Sequence, residues 1–186
     1  MGAGAIVNKD PAILTDDMKR LIDEQRLGFF ATVCEDGSPN LSPKGTIAVW
    51  DDNHLAFGNI RSPGTLANLR RNPNIDTNVV DPFTRKGYRF KGIASILASG
   101  PLHDQAIEFY KARGSKVSAF KEIVLIEIRT AQFIDSPAYD FGMTEEEIRE
   151  RWARHYESLR AGSRNMPDPE IPEMENALTA KTPSSR

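Results

Sequence analysis

The fold is decided by residues 28–59, which read GFFATVCEDGSPNLSPKGTIAVWDDNHLAFGN. Three runs in this stretch, 28–34, 40–50 and 54–59, have the apolar and β-branched composition that favours strands. The gaps between them contain Asp36-Gly37 and Asp51-Asp52-Asn53, which are typical of tight turns. Strands that follow each other through tight turns pair antiparallel. The stretch therefore predicts the beginning of an antiparallel sheet.

The rest of the chain supplies more strands and the helices around them. Three further strands are predicted at 74–80, 87–99 and 121–134. Helices are predicted from Thr15, from Ser62, across 102–113, and from the capping box of Thr144 and Glu147 to Gly162. The order favours a mainly-β (β+α) fold, a six-stranded antiparallel split β-barrel with peripheral helices.

The domain organisation follows from the same reading of the sequence. We expect an N-terminal arm at 1–14, one barrel domain at 15–140, a C-terminal helix at 141–162 and a flexible tail at 163–186. A chain of 186 residues is long enough for one such domain.

Composition argues against several classes of function. The net charge of −2 gives no overall basic field for nucleic acid, and no apolar run approaches the roughly 20 residues that span a bilayer. The start of the chain predicts no signal peptide. The single cysteine, Cys34, favours a cytoplasmic location and a buried packing role, and the three histidines lie too far apart to predict a metal site. No catalytic side chain is identified.

The strand predicted at 40–50 carries the most informative polar pattern. Because side chains alternate along a strand, Ser42, Lys44 and Thr46 share one face, and two hydroxyls beside a cation suit a phosphate. The alternative is a solvated polar face. Pro43 and Gly45 weaken a strand interior and favour a bulge or a close approach by a ligand.

A second candidate lies where the helix after the third strand begins. Helix N-termini present unpaired N–H groups that bind anions, and Arg61, Ser62 and Thr65 add a charge and two hydroxyls there. An ordinary capped helix start explains the same residues equally well.

A third candidate is the basic segment at 85–92, RKGYRFKG. Its cations alternate with Tyr88 and Phe90, a pattern that suits a polyanion or an aromatic ligand. The alternative is a solvated basic edge strand that resists aggregation.

Taken in order, these segments resemble the pyridoxamine 5'-phosphate oxidase-like family of FMN-binding split barrels. The resemblance covers about residues 15–140 and rests on LGFFATV at 27–33, DGSP at 36–39, SPKG at 42–45, LANLRRNP at 66–73 and GYRFKG at 87–92. It implies a homodimer with FMN bound at the subunit interface. Many members of the family place a lysine at the position of Thr65, and here Arg61 or Lys44 would supply that charge.

The resemblance also implies which residues hold the ligands. The cofactor-binding positions would be Ser42, Pro43, Lys44, Gly45, Thr46, Arg61, Ser62, Thr65, Leu66, Arg89 and Lys91. The positions expected to contact a substrate anion would be Arg85, Lys86 and Tyr88.

The function implied is that of an FMN-dependent oxidoreductase acting on a small molecule, with a nicotinamide as the candidate electron donor and no nucleic-acid or membrane partner. Vitamin B6 phosphate oxidation itself is disfavoured, because the C-terminal substrate motif of the true oxidases is not found. The alternative is a non-enzymatic protein of the same fold that binds flavin, deazaflavin or heme.

Overall fold

A computed structural model describes residues 12–162; the predicted tail, and all of the predicted arm before residue 12, lie outside these residues. The described chain forms two compact units. The first contains residues 12–81 and 86–134, and the second contains 82–85 and 135–162. No helix within residues 12–162 is long and apolar enough to cross a membrane.

The first unit is built on one antiparallel sheet. Its strands are β1 (Gly28–Val33), β2 (Pro39–Lys44), β3 (Ala48–Val49), β4 (His54–Asn59), β5 (Asn74–Val80), β6 (Gly87–Leu97) and β7 (Glu122–Ile134). Their order across the sheet is β2-β1-β5-β6-β7-β4-β3, and every neighbouring pair is antiparallel.

Chain connectivity forces this sheet to curl. The two edge strands, β2 and β3, are consecutive in the chain and are joined only by residues 45–47. A flat sheet of this width would hold its edges about 29 Å apart, since neighbouring strands are about 4.8 Å apart. The link from Lys44 to Ala48 can extend only about 14 Å. The sheet is therefore a split barrel, as the sequence predicts.

The prediction of six strands needs one correction. The run predicted as a single strand at 40–50 is interrupted by a turn at Gly45 and Thr46, so the sheet has seven strands. The strand ends at Lys44, directly before Gly45, as expected of a residue that weakens a strand interior.

Three α-helices accompany the sheet in the described part of the first unit: α1 (Asp16–Gln25), α2 (Pro63–Arg71) and α3 (Pro101–Ala112). Thr15 caps α1 as predicted, with its side chain accepting from the N–H of Met18. The interior of the curled sheet holds the main apolar core, where the rings of Phe30 and Phe57 lie 4.7 Å apart. A second cluster forms where Ala106 and Tyr110 of α3 pack with Ala48, Ala56 and Ile123.

The second unit is centred on α4 (Glu145–Arg160). The predicted capping box is present, because Thr144 accepts from the N–H of Glu147 and Glu147 accepts in return from the N–H of Thr144. The loop residues 82–85 pack with this helix: the guanidinium of Arg85 lies 3.4 Å from the centre of the Trp152 ring, and Phe83 meets Tyr156 edge-on.

Candidate phosphate site at the β2–α2 junction

Lys44, the last residue of β2, is the centre of the candidate site. Its side chain is only 6% exposed, and its ammonium donates to the hydroxyls of Ser42 and, at 2.8 Å, of Ser62. The strand alternation predicted for Ser42 and Lys44 is therefore observed. The structure also brings them to Ser62, so that residues from the first two sequence candidates form a single cluster.

The charge of Lys44 is not compensated by an acid. Within residues 12–162, no carboxylate pairs with it, and the nearest aromatic contact is the Phe57 ring at 5.7 Å. Removal from water lowers the pKa of the Lys44 ammonium below its ordinary value. A buried cation with hydroxyl neighbours and no counter-ion is a favourable site for an external anion.

The start of α2 contributes a second favourable feature for an anion. Ser62 occupies the N-cap position, but its side chain makes no cap hydrogen bond to the helix. Its hydroxyl accepts from Lys44 instead, so the side chain leaves the first-turn N–H groups uncapped. The first turn also contains no acidic residue. The positive end of the helix dipole and the ammonium of Lys44 thus meet at Ser62.

A buried polar network extends from this cluster along the inner face of β1 and β2. Asn40 donates to Thr32 at 3.1 Å and to Thr65 at 3.5 Å, and Asn68 donates to Thr32 at 3.0 Å. Thr65 is buried, as are Thr32 and Asn68. The sequence reasoning missed Asn40, Thr32 and Asn68. For Asn40 the signal was available, since it lies two residues before Ser42 on the same strand face.

Within one chain, several of the residues predicted to bind the cofactor lie outside the cluster formed by Ser42, Lys44 and Ser62. Thr46 lies in the turn after β2, and its hydroxyl donates to the carbonyl of Gly58 at 2.7 Å. Pro43 is exposed on the outer face of the sheet, and Gly45 is exposed in the turn. Leu66 packs in the main core. Arg61 is exposed and makes no hydrogen bond or ion pair with any residue in the part of the chain described.

Arg89 and Lys91 lie on the opposite, outer face of the sheet. Arg89 donates to Asn78 at 3.3 Å, and Lys91 forms an ion pair with Asp76 at 2.9 Å. A groove of about 350 Å³ runs along this face. Its lining mixes apolar and polar residues, and consists of Phe29, Ala31, Leu41, Asp76, Asn78, Val80 and Arg89.

The predicted substrate residues are each engaged in other contacts. The hydroxyl of Tyr88 donates to Asp17 of α1 at 2.6 Å, a contact that lowers the pKa of Asp17 and raises that of Tyr88. Arg85 stacks on Trp152 in the second unit, and Lys86 is half-buried in the loop just before β6. Their role toward a substrate stays a prediction.

Comparison with known proteins agrees with this architecture. A sequence model of the pyridoxamine 5'-phosphate oxidases matches residues 14–136. The solved structure of HupZ from Group A Streptococcus is similar, with 29% identity and a TM-score of 0.60 over 66% of this chain and 95% of that one. No curated protein sequence matches significantly.

Two more distant structures share the fold. A Lactobacillus delbrueckii protein assigned to the pyridoxamine 5'-phosphate oxidases has 20% identity and a TM-score of 0.56, over 66% of this chain and 96% of that one. An FMN-binding protein from Syntrophomonas wolfei has 16% identity and a TM-score of 0.54, over 64% and 84% of the two chains. Because the family match spans more than half of the sequence, the chain belongs to the pyridoxamine 5'-phosphate oxidase family.

Proposed function

We propose that the protein is an FMN-dependent oxidoreductase acting on a small molecule, with the flavin bound where two copies of the chain meet. The observation that carries the proposal is Lys44, a buried ammonium without a carboxylate partner in residues 12–162. Family membership adds independent support. We also propose a reducing, cytoplasmic setting, because the single cysteine is a free thiol.

The residues at the β2–α2 junction fit a phosphate group. Lys44 would supply a charge-assisted hydrogen bond, Ser42 and Ser62 would supply hydroxyl donors, and the uncapped start of α2 would supply N–H groups. Arg61, exposed beside Ser62, would add a second cation in place of the lysine that many relatives carry at the position of Thr65. When bound, FMN would supply the redox chemistry, and the protein would supply orientation and charge.

The outer face of β1 and β2 supports a homodimer. Leu41 is 64% exposed and Phe29 is 43% exposed, and both line the same groove on this face of the folded sheet. A twofold interface brings the same patch of each subunit together. Any ion pair across the interface therefore needs its acidic and its basic residue on that one patch. This face carries both, with Arg89 and Asp76 lining one groove. In such a dimer, Arg89 and Lys91 would be available to the flavin of the partner.

Titration with FMN tests the proposed function. We expect the protein to quench the fluorescence of added FMN to a one-to-one end point per chain, and a reduced nicotinamide to bleach the bound flavin under anaerobic conditions. Binding without bleaching by any donor would favour a flavin carrier over an enzyme. Flavin that keeps its full fluorescence at every protein concentration would contradict the proposal.

The pH dependence of binding gives a second prediction. Burial lowers the pKa of Lys44, whereas a bound phosphate favours its charged form, so binding above the lowered pKa requires uptake of a proton. The Ser42 and Ser62 hydroxyls and the Phe57 ring, which contact Lys44, do not titrate in this pH range.

FMN affinity should therefore fall as the pH rises through the lowered pKa toward the ordinary value of 10.5. The ligand-free protein should show the opposite trend in this window. Its unfolded state keeps the Lys44 proton to higher pH than its folded state, so the free energy of unfolding rises with pH. Calorimetric titrations in buffers of different ionisation enthalpy would measure the uptake, and an equal pH slope in Lys44→Met would contradict the assignment.

A further inference from the structure

Asn59, the last residue of β4, has an amide whose orientation is fixed by a neighbour. It is 2% exposed, and its Nδ2 donates to Oε2 of Glu122, its register partner on β7, at 3.1 Å. An ionised carboxylate only accepts hydrogen bonds, so the nitrogen must face Glu122 and the oxygen must face away. Arg70 holds the other oxygen of Glu122 at 3.3 Å.

The oxygen of this amide is left without a donor. Asn59 Oδ1 is buried and has no hydrogen-bond partner among the described residues. A buried acceptor in that state costs folding free energy, and folded proteins leave few of them. The Glu122 contact prevents the amide from relieving the cost by turning over. The Glu122 contact therefore holds a buried acceptor in a fixed orientation, and none of the described residues donates a hydrogen bond to it.

Residues before and after Asn59 in the chain contact Lys44. Phe57 lies two residues before Asn59 on the same strand face, with the Lys44 ammonium 5.7 Å from its ring centre. Ser62, three residues after Asn59, accepts from the same ammonium. The residue that bears the unpaired acceptor therefore lies, along the chain, between two residues that contact the Lys44 ammonium.

We propose that Asn59 Oδ1 accepts a hydrogen bond from a hydroxyl of the chain that carries the ligand's phosphate, an inference that rests on the proposed function. A cation, and an acceptor on a segment that contacts this cation on both sides, match a phosphate ester whose neighbouring carbons bear hydroxyls, as in the ribityl phosphate of FMN. Asn59 thereby selects hydroxylated phosphate esters over plain ones, and Glu122 is the positioning residue that aims it.

The test compares two ligands in one variant, Asn59→Leu. One ligand is FMN, and the other is a flavin that carries an unhydroxylated pentyl phosphate at N10. We expect the variant to bind FMN about five- to tenfold more weakly and the pentyl phosphate flavin as tightly as the parent protein does. The thermal stability of the ligand-free variant should change little, since the substitution removes an unpaired buried acceptor together with the hydrogen bond to Glu122.

Lys44→Met separates this inference from the proposed function. The phosphate site stands if Lys44→Met weakens the binding of both ligands. If Asn59→Leu then weakens the binding of both ligands equally, or of neither, the role of Asn59 is overturned. If the parent protein binds neither ligand, the proposed function fails and the inference fails with it.

Glu122→Gln tests the positioning role. A glutamine can donate as well as accept, so it no longer fixes the direction of the Asn59 amide. We expect this variant to lose FMN affinity and to keep affinity for the pentyl phosphate flavin. Unchanged binding of both would contradict the role of Glu122.

Discussion

Replacing Lys44 by methionine is expected to weaken FMN binding about ten- to hundredfold, because a hydrogen bond to a charged group contributes roughly 1.5–3 kcal/mol. The same substitution should leave the ligand-free protein as stable as its parent, or more stable. Methionine has similar length and fills the site without the cost of burying a charge that no acid compensates. Fluorescence titration and thermal unfolding measure the two effects.

The combination of results is what distinguishes a binding role from a structural one. A lysine that served mainly to hold β2 against α2 would lower stability and affinity together when replaced. Lys111→Met is the matched control, since Lys111 is exposed on α3 and its side chain bonds only to Glu108, at 2.6 Å, among the contacts found in residues 12–162. Unchanged FMN affinity in Lys44→Met would remove the site assignment.

Replacing Leu41 by aspartate is expected to convert the proposed dimer to monomers. Burying a leucine stabilises an interface by about 1.5–3 kcal/mol, and a twofold axis places this residue in the interface twice, so the dimer should weaken on the order of a thousandfold. FMN affinity should fall with it, because the partner completes the proposed site. Analytical ultracentrifugation with and without FMN measures both.

An exposed leucine elsewhere provides the control for this substitution. Leu102 on α3 is 41% exposed, compared with 64% for Leu41, and lies outside the β1–β2 face. Leu102→Asp should therefore leave the assembly unchanged. A parent protein that sediments as a monomer, or a Leu41→Asp variant that stays dimeric, would contradict the proposed interface.

Local sequence patterns predicted the parts of the molecule that depend on neighbours in the chain. The alternation of Ser42 and Lys44, the capping box at Thr144 and the start of α1 at Thr15 all follow from strand or helix periodicity, and all are observed. The strand predicted to continue through Thr46 ends at Lys44 for an equally local reason. The turn at Gly45 ends the strand before the alternation reaches Thr46, whose hydroxyl then bonds to Gly58.

The rest of the candidate site depends on contacts between distant parts of the chain. Ser62 reads as an ordinary helix cap, and only its meeting with Lys44, 18 residues earlier, directs its hydroxyl elsewhere. Asn59 gains its fixed orientation from Glu122, 63 residues away. Asn59 lies on β4 and Glu122 on β7, and the pairing of these two strands is set by the closure of the whole sheet. No local pattern encodes that register.

A crystal structure of the protein with FMN bound tests the central claim most directly. The account predicts a phosphate oxygen within hydrogen-bond distance of Lys44 Nζ and Ser62 Oγ, at the start of α2. A phosphate held elsewhere, with Lys44 still bonded only to the Ser42 and Ser62 hydroxyls, would contradict it.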